Sequence, residues 1–403
     1  MPTSVFGVIA EKKEEPDKRT PLTPIQAAEL MAHFPKLTII VEPSEFRCFT
    51  NEEYEAKGVT VSTDLSKCSL LMGVKEVPVE EMLEQKTYMF FSHTMKEQEY
   101  NRDMLRAILE KKICLIDYEV LMDSSENRLI GFGRFAGLVG GHYAMLMYGK
   151  RTGAYKIKPA AQCDGLKEML REYKSIELPA MKIVLTGSGR VAGGVCELLD
   201  EIGVTSVTPE DFLNKTFEGP VYTQLFSQDL FRHKYNFGYD RDDFHQKPDE
   251  YKSLFQPYAE VADVLINGIY WNPAAPPLFT KEDAKKSSFR IRTIADITSD
   301  IQGSVPITLK FTTTADPVCG YNPFEDANEA PYQPHTIDIM SVVNLPNELP
   351  KDASREFGEA LSTQVLPRFH VNPGDKLFER ATIAQDGHLT KDFQYLEDFV
   401  RDK

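Results

Sequence analysis

The sequence predicts an α/β protein made of two Rossmann-like domains with parallel sheets, in which the nucleotide-binding domain is inserted into the other. Apolar, β-branched runs alternate with amphipathic segments along most of the chain. A glycine-rich turn separates one such run from a helical segment. The 403 residues also exceed the roughly 250–300 that one hydrophobic core organises. We predict a substrate domain of residues 1–135 with 328–403, and a dinucleotide-binding domain of residues 136–327.

The first third of the chain carries the predicted elements of the substrate domain. Apolar runs predict strands, and helical periodicity predicts two helices, the first capped by Thr23. Ligands of open α/β sheets lie outside the carboxyl ends of the strands, so Lys75 and His93, which both end strands, are expected at one edge. The predicted strands cover 5–10, 37–43, 68–78, 88–93 and 113–119, and the helices cover 24–34 and 96–112.

The middle and the end of the chain carry the elements of the nucleotide-binding domain and of the segment that returns to the substrate domain. A long glycine-rich helix leaves the first domain, and a strand, a glycine turn and a second helix follow it. The stretch from 210 to 260 and the polar loop at 312–336 receive no assignment. The predicted strands cover 181–186, 204–209, 262–270, 293–300 and 336–343, and the helices cover 132–151, 191–203 and 353–369.

The glycine turn at 187–192, GSGRVA, matches the dinucleotide-binding pattern G-x-G-x-x-G/A. Gly187 permits the tight turn, and Gly189 lets the backbone approach a pyrophosphate at the helix N-terminus. Ala192 and Gly193 are expected to let the helix lie close to the sheet. Because a β-branched strand precedes the turn and an amphipathic helix follows it, the pattern predicts nucleotide binding rather than a helix-packing turn.

The choice between NAD and NADP stays open at this point, with NAD slightly favoured. An acid after the second strand of such a domain usually holds the ribose diol. Glu210 is the candidate, with Asp211 beside it. Arg190 could equally face a ribose 2′-phosphate.

Composition excludes several classes of function. A net charge of −15 and a pI near 5.1 leave no basic face for nucleic acid. The six cysteines show no metal-ligand spacing, so no metal is predicted and a reducing compartment is favoured. The start, MPTSVFGVIAEKKEE, does not resemble a signal peptide, and no apolar run approaches the roughly 20 residues of a membrane span. We therefore expect a cytoplasmic protein with no membrane partner; a homo-oligomer is compatible with these data.

Lys75 and His93 are the candidate proton-transfer groups, although a strand-end lysine is often solvated and a lone histidine is often structural. Together they provide two groups that titrate near neutrality when partly desolvated, as amine–imine–ketone chemistry requires. Arg19 and Arg128 are candidate partners for substrate carboxylates, although either could be a solvated charge.

Eight segments resemble the lysine-forming saccharopine dehydrogenases and the reductase half of the bifunctional lysine–ketoglutarate reductases. The same fold family includes alanine dehydrogenase and the nucleotide-binding part of transhydrogenase. One departure is Asn127, which stands where some relatives carry a second arginine. The segments are RTPLTP (19–24), GVKEVP (73–78), FFSHTMKEQ (90–98), LIDYE (115–119), RLIGFGRFAG (128–137), NGIYW (267–271), IADIT (294–298) and NLPNELPKDAS (344–354).

The resemblance implies an assignment of roles to residues. Lys75 corresponds to the family's general base and His93 to its second acid–base group, and Arg19 and Arg128 correspond to its carboxylate-binding arginines. The implied pocket and cofactor residues are Glu76, Gln98, Phe132, Ile269 and Tyr270 for substrate, and Gly187, Gly189, Arg190, Val191, Gly268 and Asp296 for NAD or NADP, with Asp296 beside the nicotinamide ribose.

The implied reaction interconverts saccharopine with L-lysine and 2-oxoglutarate, with hydride transfer to or from a nicotinamide cofactor. An alanine-dehydrogenase-like or other amino-acid or imine dehydrogenase is the alternative within enzymes. A non-catalytic nucleotide-binding protein on the same fold is the alternative of another class.

Overall fold

The computed structural model describes residues 3–13 and 17–401. The predicted domain limits at 1 and 403, and part of the stretch compared with signal peptides, lie outside the described residues. The chain divides into two compact units: the first runs to Phe132 and resumes at Pro350, and the second spans Gly133–Leu349. The return at Pro350 corrects the predicted return at 328, because the strand at 337–340 pairs within the second sheet.

The strands are short, most of them of three to five residues, and those at the centre of each sheet are apolar and buried. In chain order they are β1 (Ser4–Val8), β2 (Leu37–Val41), β3 (Thr60–Val61), β4 (Leu70–Met72), β5 (Thr87–Phe90), β6 (Cys114–Asp117), β7 (Lys182–Thr186), β8 (Thr205–Ser206), β9 (Val221–Leu225), β10 (Phe231–His233), β11 (Tyr251–Ser253), β12 (Val264–Asn267), β13 (Thr293–Asp296), β14 (Cys319–Asn322), β15 (Ala327–Glu329), β16 (Ile337–Met340), β17 (Thr382–Gln385) and β18 (His388–Leu389).

The α-helices pack beside these strands within each unit. In chain order they are α1 (Pro24–His33), α2 (Asn51–Glu55), α3 (Arg102–Glu110), α4 (Gly133–Thr152), α5 (Leu166–Glu172), α6 (Arg190–Glu201), α7 (Pro209–Asn214), α8 (Ser227–Leu230), α9 (Arg241–Gln246), α10 (Gln256–Ala259), α11 (Lys281–Lys285), α12 (Pro350–Ala360), α13 (Leu366–Val371), α14 (Lys376–Ala381) and α15 (Glu397–Arg401). Short 3₁₀ turns and a π-helical segment at Leu361–Val365 join some of them.

The first unit contains one eight-stranded sheet in the order β18-β17-β6-β5-β4-β1-β2-β3. The six strands from β6 to β3 are parallel, and β17 and β18 close one edge in antiparallel pairing. The central strands β1, β4, β5 and β6 are neighbours, so their carboxyl ends lie side by side. Thr23 caps α1 as predicted. Its hydroxyl accepts the Gln26 backbone N–H, and the Gln26 side-chain oxygen accepts the Thr23 backbone N–H.

The second unit contains a second eight-stranded sheet in the order β15-β14-β16-β13-β12-β7-β9-β8. Its six strands from β16 to β8 are parallel, and β14 and β15 form an antiparallel edge. The predicted α/β class with Rossmann-like sheets is confirmed. The unassigned stretch from 210 to 260 contains β9, the antiparallel pair β10–β11 and four short helices.

Helix α6 packs closely on α4 through glycines. A Cβ on Gly194 would lie 2.1 Å from the Arg134 carbonyl oxygen, and one on Gly137 would lie 2.0 Å from that of Val191. A Cβ on Gly193 would meet nothing within 4 Å. The close-packing role predicted for Gly193 is therefore wrong: Gly194 is the contact residue, because its side of the helix faces α4. In the part of the chain that the structure describes, no helix has the length and apolarity to cross a membrane.

Candidate functional site

In the first unit, charged side chains gather where the four central parallel strands end. Glu11 follows β1, Lys75 follows β4, His93 follows β5 and Glu119 follows β6. Because β4 and β5 are hydrogen-bonded parallel neighbours, Lys75 and His93 follow adjacent strand ends, as the sequence predicted from topology alone.

A buried carboxylate connects the two candidate turns. Glu76, next to Lys75, has an Oε1 that lies 2.6 Å from His93 Nδ1, and its Oε2 lies 2.6 Å from the Lys13 ammonium. Burial opposes ionisation of Glu76, but the hydrogen bond and charge of His93, together with Lys13, prevail and lower its pKa to about 2. An ionised Glu76 accepts the Nδ1 proton of His93 and leaves Nε2 as the atom available for proton transfer.

Lys75 lies in a setting that favours its neutral amine. Its side chain is largely desolvated, and this burial, followed by the charge of Arg19, lowers the pKa of its ammonium. Its backbone N–H donates to the Glu11 carboxylate at 3.0 Å. A lysine with a lowered pKa loses its proton more readily than an exposed strand-end lysine, which makes its amine the better candidate for a proton acceptor.

Arg19 is buried, with 3% of its surface exposed, and it is paired with a neighbouring acid. Its Nε donates to Asp17 Oδ1 at 2.9 Å, and Nη2 contacts the other carboxylate oxygen. Its guanidinium carbon also lies 4.1 Å from the centre of the Phe132 ring. Phe132 stacks in turn on Phe357 at 4.6 Å. The guanidinium is thus held in one orientation by an ion pair and an aromatic face.

Arg128 and Gln98 lie at the exposed border of this charged region. Arg128 Nη2 is 3.6 Å from Glu119 Oε1, and Lys96 Nζ is 3.7 Å from the same oxygen. Gln98 is exposed and accepts a hydrogen bond from the Tyr100 hydroxyl. The predicted residues of the first unit therefore fall at the carboxyl edge of one sheet.

In the second unit, the glycine turn has the geometry that a pyrophosphate loop requires. Gly187 adopts φ +107°, in a region that L-residues rarely occupy, and a Cβ there would lie 2.7 Å from the Gly268 carbonyl oxygen. A Cβ on Gly189 would meet nothing within 4 Å, so the backbone of Gly189 borders open space at the N-terminus of α6. Arg190 is exposed and Val191 is half-buried in the first turn of that helix.

The strand beside β7 is not the one that the sequence predicted. The sequence places the ribose acid after 204–209, but β8 is the outermost strand and β9 lies between it and β7. Glu210 consequently lies, exposed, in the first turn of α7 at the sheet border. Asp229 is the first acid after β9, and its Oδ2 accepts the Phe226 N–H at 2.9 Å.

Asp296 belongs to a buried polar network at the ends of β7, β12 and β13. The Asn267 amide donates to Asp296 Oδ1 and to the Ser304 hydroxyl, both at 2.8 Å, and Thr308 donates to Asp296 Oδ2 at 2.7 Å. The Thr186 hydroxyl completes the network by donating to Asn267 at 2.7 Å. Burial raises the pKa of Asp296 to about 6 despite these donors.

The segment that follows β12 begins beside the glycine turn and reaches solvent at Tyr270. Gly268 lies against the glycine turn, since its carbonyl approaches Gly187. Ile269 is 9% exposed and packs in the core of the second unit, whereas Tyr270 is 88% exposed. Of these two candidate substrate residues, only Tyr270 presents its side chain to solvent.

Sequence reasoning missed five charged residues that surround the candidates. Their signal is weak in the sequence, because charged residues in loops after strands are usually solvated. Only the topology of the sheet shows that these loops meet, although Glu119 and Asp117 lie in a motif that the resemblance had marked. The five are Glu11, Lys13, Asp17, Asp117 and Glu119. Among the described residues, no group of three or more His, Cys, Asp or Glu side chains could hold a metal ion.

Comparison with known proteins identifies the fold. Residues 7–139 match the family model described as the alanine dehydrogenase/PNT N-terminal domain. A solved L-alanine dehydrogenase superposes with a TM-score of 0.66 at 15% identity, over 98% of this chain and 99% of that one. A transhydrogenase from Sinorhizobium meliloti superposes with a TM-score of 0.60 at 14% identity, over 96% of this chain and 100% of that one. The chain has the alanine dehydrogenase fold.

More specific likeness comes from curated sequences. The chain is 29% identical to an alpha-aminoadipic semialdehyde synthase of Arabidopsis thaliana over 97% of its length and 41% of the relative's. It is 28% identical to the mitochondrial synthase of Mus musculus, over 94% of the chain and 46% of the relative. It is 23% identical to a Schizosaccharomyces pombe saccharopine dehydrogenase [NAD(+), L-lysine-forming], over 87% and 89%. The resemblance predicted from the motifs is confirmed, and the chain spans less than half the length of the two synthases.

Proposed function

We propose that this protein is an oxidoreductase that interconverts saccharopine with L-lysine and 2-oxoglutarate, using a nicotinamide cofactor. One observation carries the proposal: the desolvated Lys75 and the His93–Glu76 pair follow adjacent strand ends, so two proton-transfer groups of different kind share one sheet edge. Imine chemistry needs two such groups, because proton transfers occur both at nitrogen and at the water that adds to carbon. The similarity to saccharopine dehydrogenases supports the choice of substrate.

In the amine-oxidising direction, the neutral amine of Lys75 would take the proton of the substrate's secondary amine as the C=N bond forms. His93 Nε2 would then take a proton from the water that attacks the imine carbon. In the resulting carbinolamine, the leaving lysine nitrogen would take a proton from the protonated His93 or Lys75 as the C–N bond breaks. The hydroxyl would lose its proton to the group that this transfer leaves neutral as the C=O bond forms, giving L-lysine and the keto group of 2-oxoglutarate. Each assisted proton transfer contributes a rate factor on the order of 10²–10⁴.

The remaining residues of this edge would bind and orient the substrate. Arg128, at the exposed border, and Arg19, held by Asp17 and Phe132, are proposed to face its carboxylates. Glu76, Gln98 and Phe132 are proposed as further lining residues of this edge, and the substrate roles of Ile269 and Tyr270, which belong to the second unit, stay predictions. Glu76 has a second effect, because its contact with Nδ1 orients the His93 ring.

The second unit fits a dinucleotide. The open space at Gly189, the turn at Gly187 and the N-terminus of α6 with Arg190 and Val191 are what a pyrophosphate requires. Gly268, Glu210 and Asp296 are the further proposed cofactor residues. When bound, the nicotinamide cofactor supplies the hydride chemistry. A location in the cytoplasm, and a homo-oligomeric assembly, stay predictions.

The fit of the cofactor is tested with Gly189→Val. Since a Cβ at this position meets no protein atom, the variant is expected to fold and to lose more than tenfold in affinity for NADH and NADPH by fluorescence titration. Gly193→Val, equally open in the same helix, is the control and should bind normally. Unchanged affinity in a folded Gly189→Val protein would refute the nucleotide loop.

The activity is tested with a panel of amines and keto acids, each with NADH and with NADPH, followed by nicotinamide absorbance. Turnover that requires lysine together with 2-oxoglutarate supports the proposal. Turnover with ammonia and pyruvate alone would instead indicate an alanine-dehydrogenase-like enzyme. Cofactor binding with no turnover in any pair would leave a nucleotide-binding protein.

A further inference from the structure

Two carboxylates that the proposed mechanism does not use each hold the backbone of a turn that carries a candidate proton-transfer group. The first is Glu11, in the segment after β1. Its Oε1 accepts the Val74 N–H at 2.6 Å, and its Oε2 accepts the Lys75 N–H at 3.0 Å. The same turn is fixed from its other side, because the Val74 carbonyl accepts the Phe91 N–H at 3.1 Å. The backbone at Lys75 is thus held by side-chain oxygens from a different strand end.

The second carboxylate is Asp117, the last residue of β6, which is fully buried. Its Oδ2 accepts the Ser92 N–H at 3.0 Å and also the Ser92 hydroxyl. Its Oδ1 accepts the Glu119 N–H at 2.7 Å. The Ser92 hydroxyl lies 2.8 Å from that of Thr94, so the residues on both sides of His93 belong to one hydrogen-bonded group.

His93 needs such support because its backbone is in the left-handed region, at φ +52°. Residues other than glycine keep this conformation only where the surroundings determine it, and it sets the direction in which the imidazole leaves the chain. The bond between Glu76 and His93 Nδ1 fixes the ring but does not hold the backbone. Asp117 supplies the backbone contact next to it.

We propose that Glu11 and Asp117 are positioning residues, Glu11 for Lys75 and Asp117 for His93, each acting through the backbone of the turn rather than through contact with substrate. The assignment rests on the proposed function of Lys75 and His93. It predicts a division of labour, in which loss of each carboxylate disturbs one proton-transfer group and spares the other.

A purely structural role predicts something different. Carboxylates that accept backbone N–H groups stabilise loops in most proteins, and their loss lowers stability without selecting one active group. An electrostatic role for Glu11 predicts a change of the opposite sign in the pKa of the Lys75 amine. Burial raises the pKa of Glu11 to about 7, so only its ionised fraction acts as an anion. Removing that negative charge near an ammonium lowers the amine's pKa, whereas a loosened turn that rehydrates Lys75 raises the pKa.

The experiment compares Glu11→Gln and Asp117→Asn with Asp375→Asn, whose parent carboxylate accepts the Leu377 N–H at 2.8 Å at the start of α14 in the same unit. Competitive acetylation across pH, read by mass spectrometry, gives the pKa of the Lys75 amine. Deuterium exchange at the C2 carbon reports on the His93 ring. Neither measurement requires enzymatic activity, so the inference is tested even if the proposed reaction fails.

We expect Glu11→Gln to raise the acetylation pKa of Lys75 while His93 exchanges as in the parent. Asp117→Asn should change the exchange rate of His93 and leave Lys75 unaltered, and Asp375→Asn should change neither. In the active enzyme, each of the first two variants should lower kcat tenfold to hundredfold, the scale of an ångström misplacement, with cofactor affinity preserved. KM should change less than kcat.

Three results would overturn the inference: an unchanged or lowered Lys75 pKa in Glu11→Gln, unchanged His93 exchange in Asp117→Asn, or equal effects of both variants on both groups. If Asp117→Asn fails to fold, Ser92→Ala is the substitute, because it removes the hydroxyl bonded to Asp117 and retains the Ser92 N–H bond. It should alter His93 exchange more weakly. A parent enzyme with these labelling results but without turnover would refute the proposed function and leave the positioning intact.

Discussion

Each sheet has six parallel strands and an antiparallel edge pair, but the carboxyl ends of the parallel strands carry different chemistry in the two units. In the first unit, the edge carries charges in close pairs, such as Glu76 with His93 and Asp17 with Arg19, and the pKa of Glu76 falls to about 2. In the second unit, glycines and neutral hydrogen-bond donors surround one buried acid, Asp296. Burial raises the pKa of Asp296 to about 6.

The difference indicates which task each edge suits. A charged, partly desolvated edge can accept and release protons near neutral pH. An edge with a glycine turn and few charges leaves room for a ligand's own phosphates at a helix N-terminus.

Removing the proton-transfer groups tests the first edge. Lys75→Met and His93→Gln should each lower kcat by a factor on the order of 10²–10⁴ while cofactor affinity is preserved. Because groups that act on one substrate are non-additive, the double variant should lose much less than the product of the single losses. Steady-state kinetics across pH measure this, and each single variant should lose one limb of the profile. Near-normal turnover in both single variants would place the chemistry elsewhere.

Acid should destabilise the second unit through His142. Its Nδ1 lies 2.7 Å from the Tyr173 hydroxyl and its Nε2 lies 2.7 Å from the Lys158 carbonyl oxygen, so the buried ring is neutral. Its pKa lies below the unfolded value of 6.5, so its contribution is present above pH 6.5 and is lost as the pH falls through about 4.

The loss in free energy of unfolding is at most about 3 kcal/mol for this shift. Urea unfolding between pH 7 and 4, followed by fluorescence, measures it. His142→Gln keeps both hydrogen-bonding functions without a titrating group, and its stability should depend less on pH in this window. An identical pH dependence in parent and variant would contradict the prediction.

The arginines test whether the charged edge binds substrate. Arg19→Ala and Arg128→Ala should each raise KM for 2-oxoglutarate or saccharopine tenfold to hundredfold, the scale of a charge-assisted pair of about 1.5–3 kcal/mol. Arg355, exposed and paired with Asp352 on α12, provides a control, and Arg355→Ala should leave KM unchanged. If the first two variants match the parent, these guanidinium groups serve only their partners in the first unit.

The smallest effect is expected at the cofactor's ribose, where the measurement distinguishes two candidate acids, Asp229 and Glu210. If Asp229, after the strand beside β7, holds the ribose diol, Asp229→Asn should shift the NADH-to-NADPH affinity ratio by about tenfold toward NADPH. Glu210→Gln should leave the ratio unchanged. The reverse result would support the acid that the sequence predicted, and fluorescence titration with both cofactors measures the ratio.

The sequence alone determined the features that local chemistry encodes. Alternating apolar runs and amphipathic helices specified the α/β class, and the cap at Thr23 and the glycine turn at 187–192 required only neighbouring residues. Lys75 and His93 could be assigned to one sheet edge because parallel strands end on the same side. The motif resemblance led to the reaction that is proposed above.

Which distant residues meet depends on the tertiary fold. Three features depend on contacts between residues that are tens of positions apart in the sequence. They are the bonds of Glu11 and Asp117 to the turns of Lys75 and His93, the contact of Gly194 rather than Gly193 with α4, and the place of β9 beside β7. No local pattern encodes such pairings, because the sequence around a solvated carboxylate does not differ from the sequence around one that holds a turn. What distinguishes them is the strand order, which is set by burial of the whole sheet.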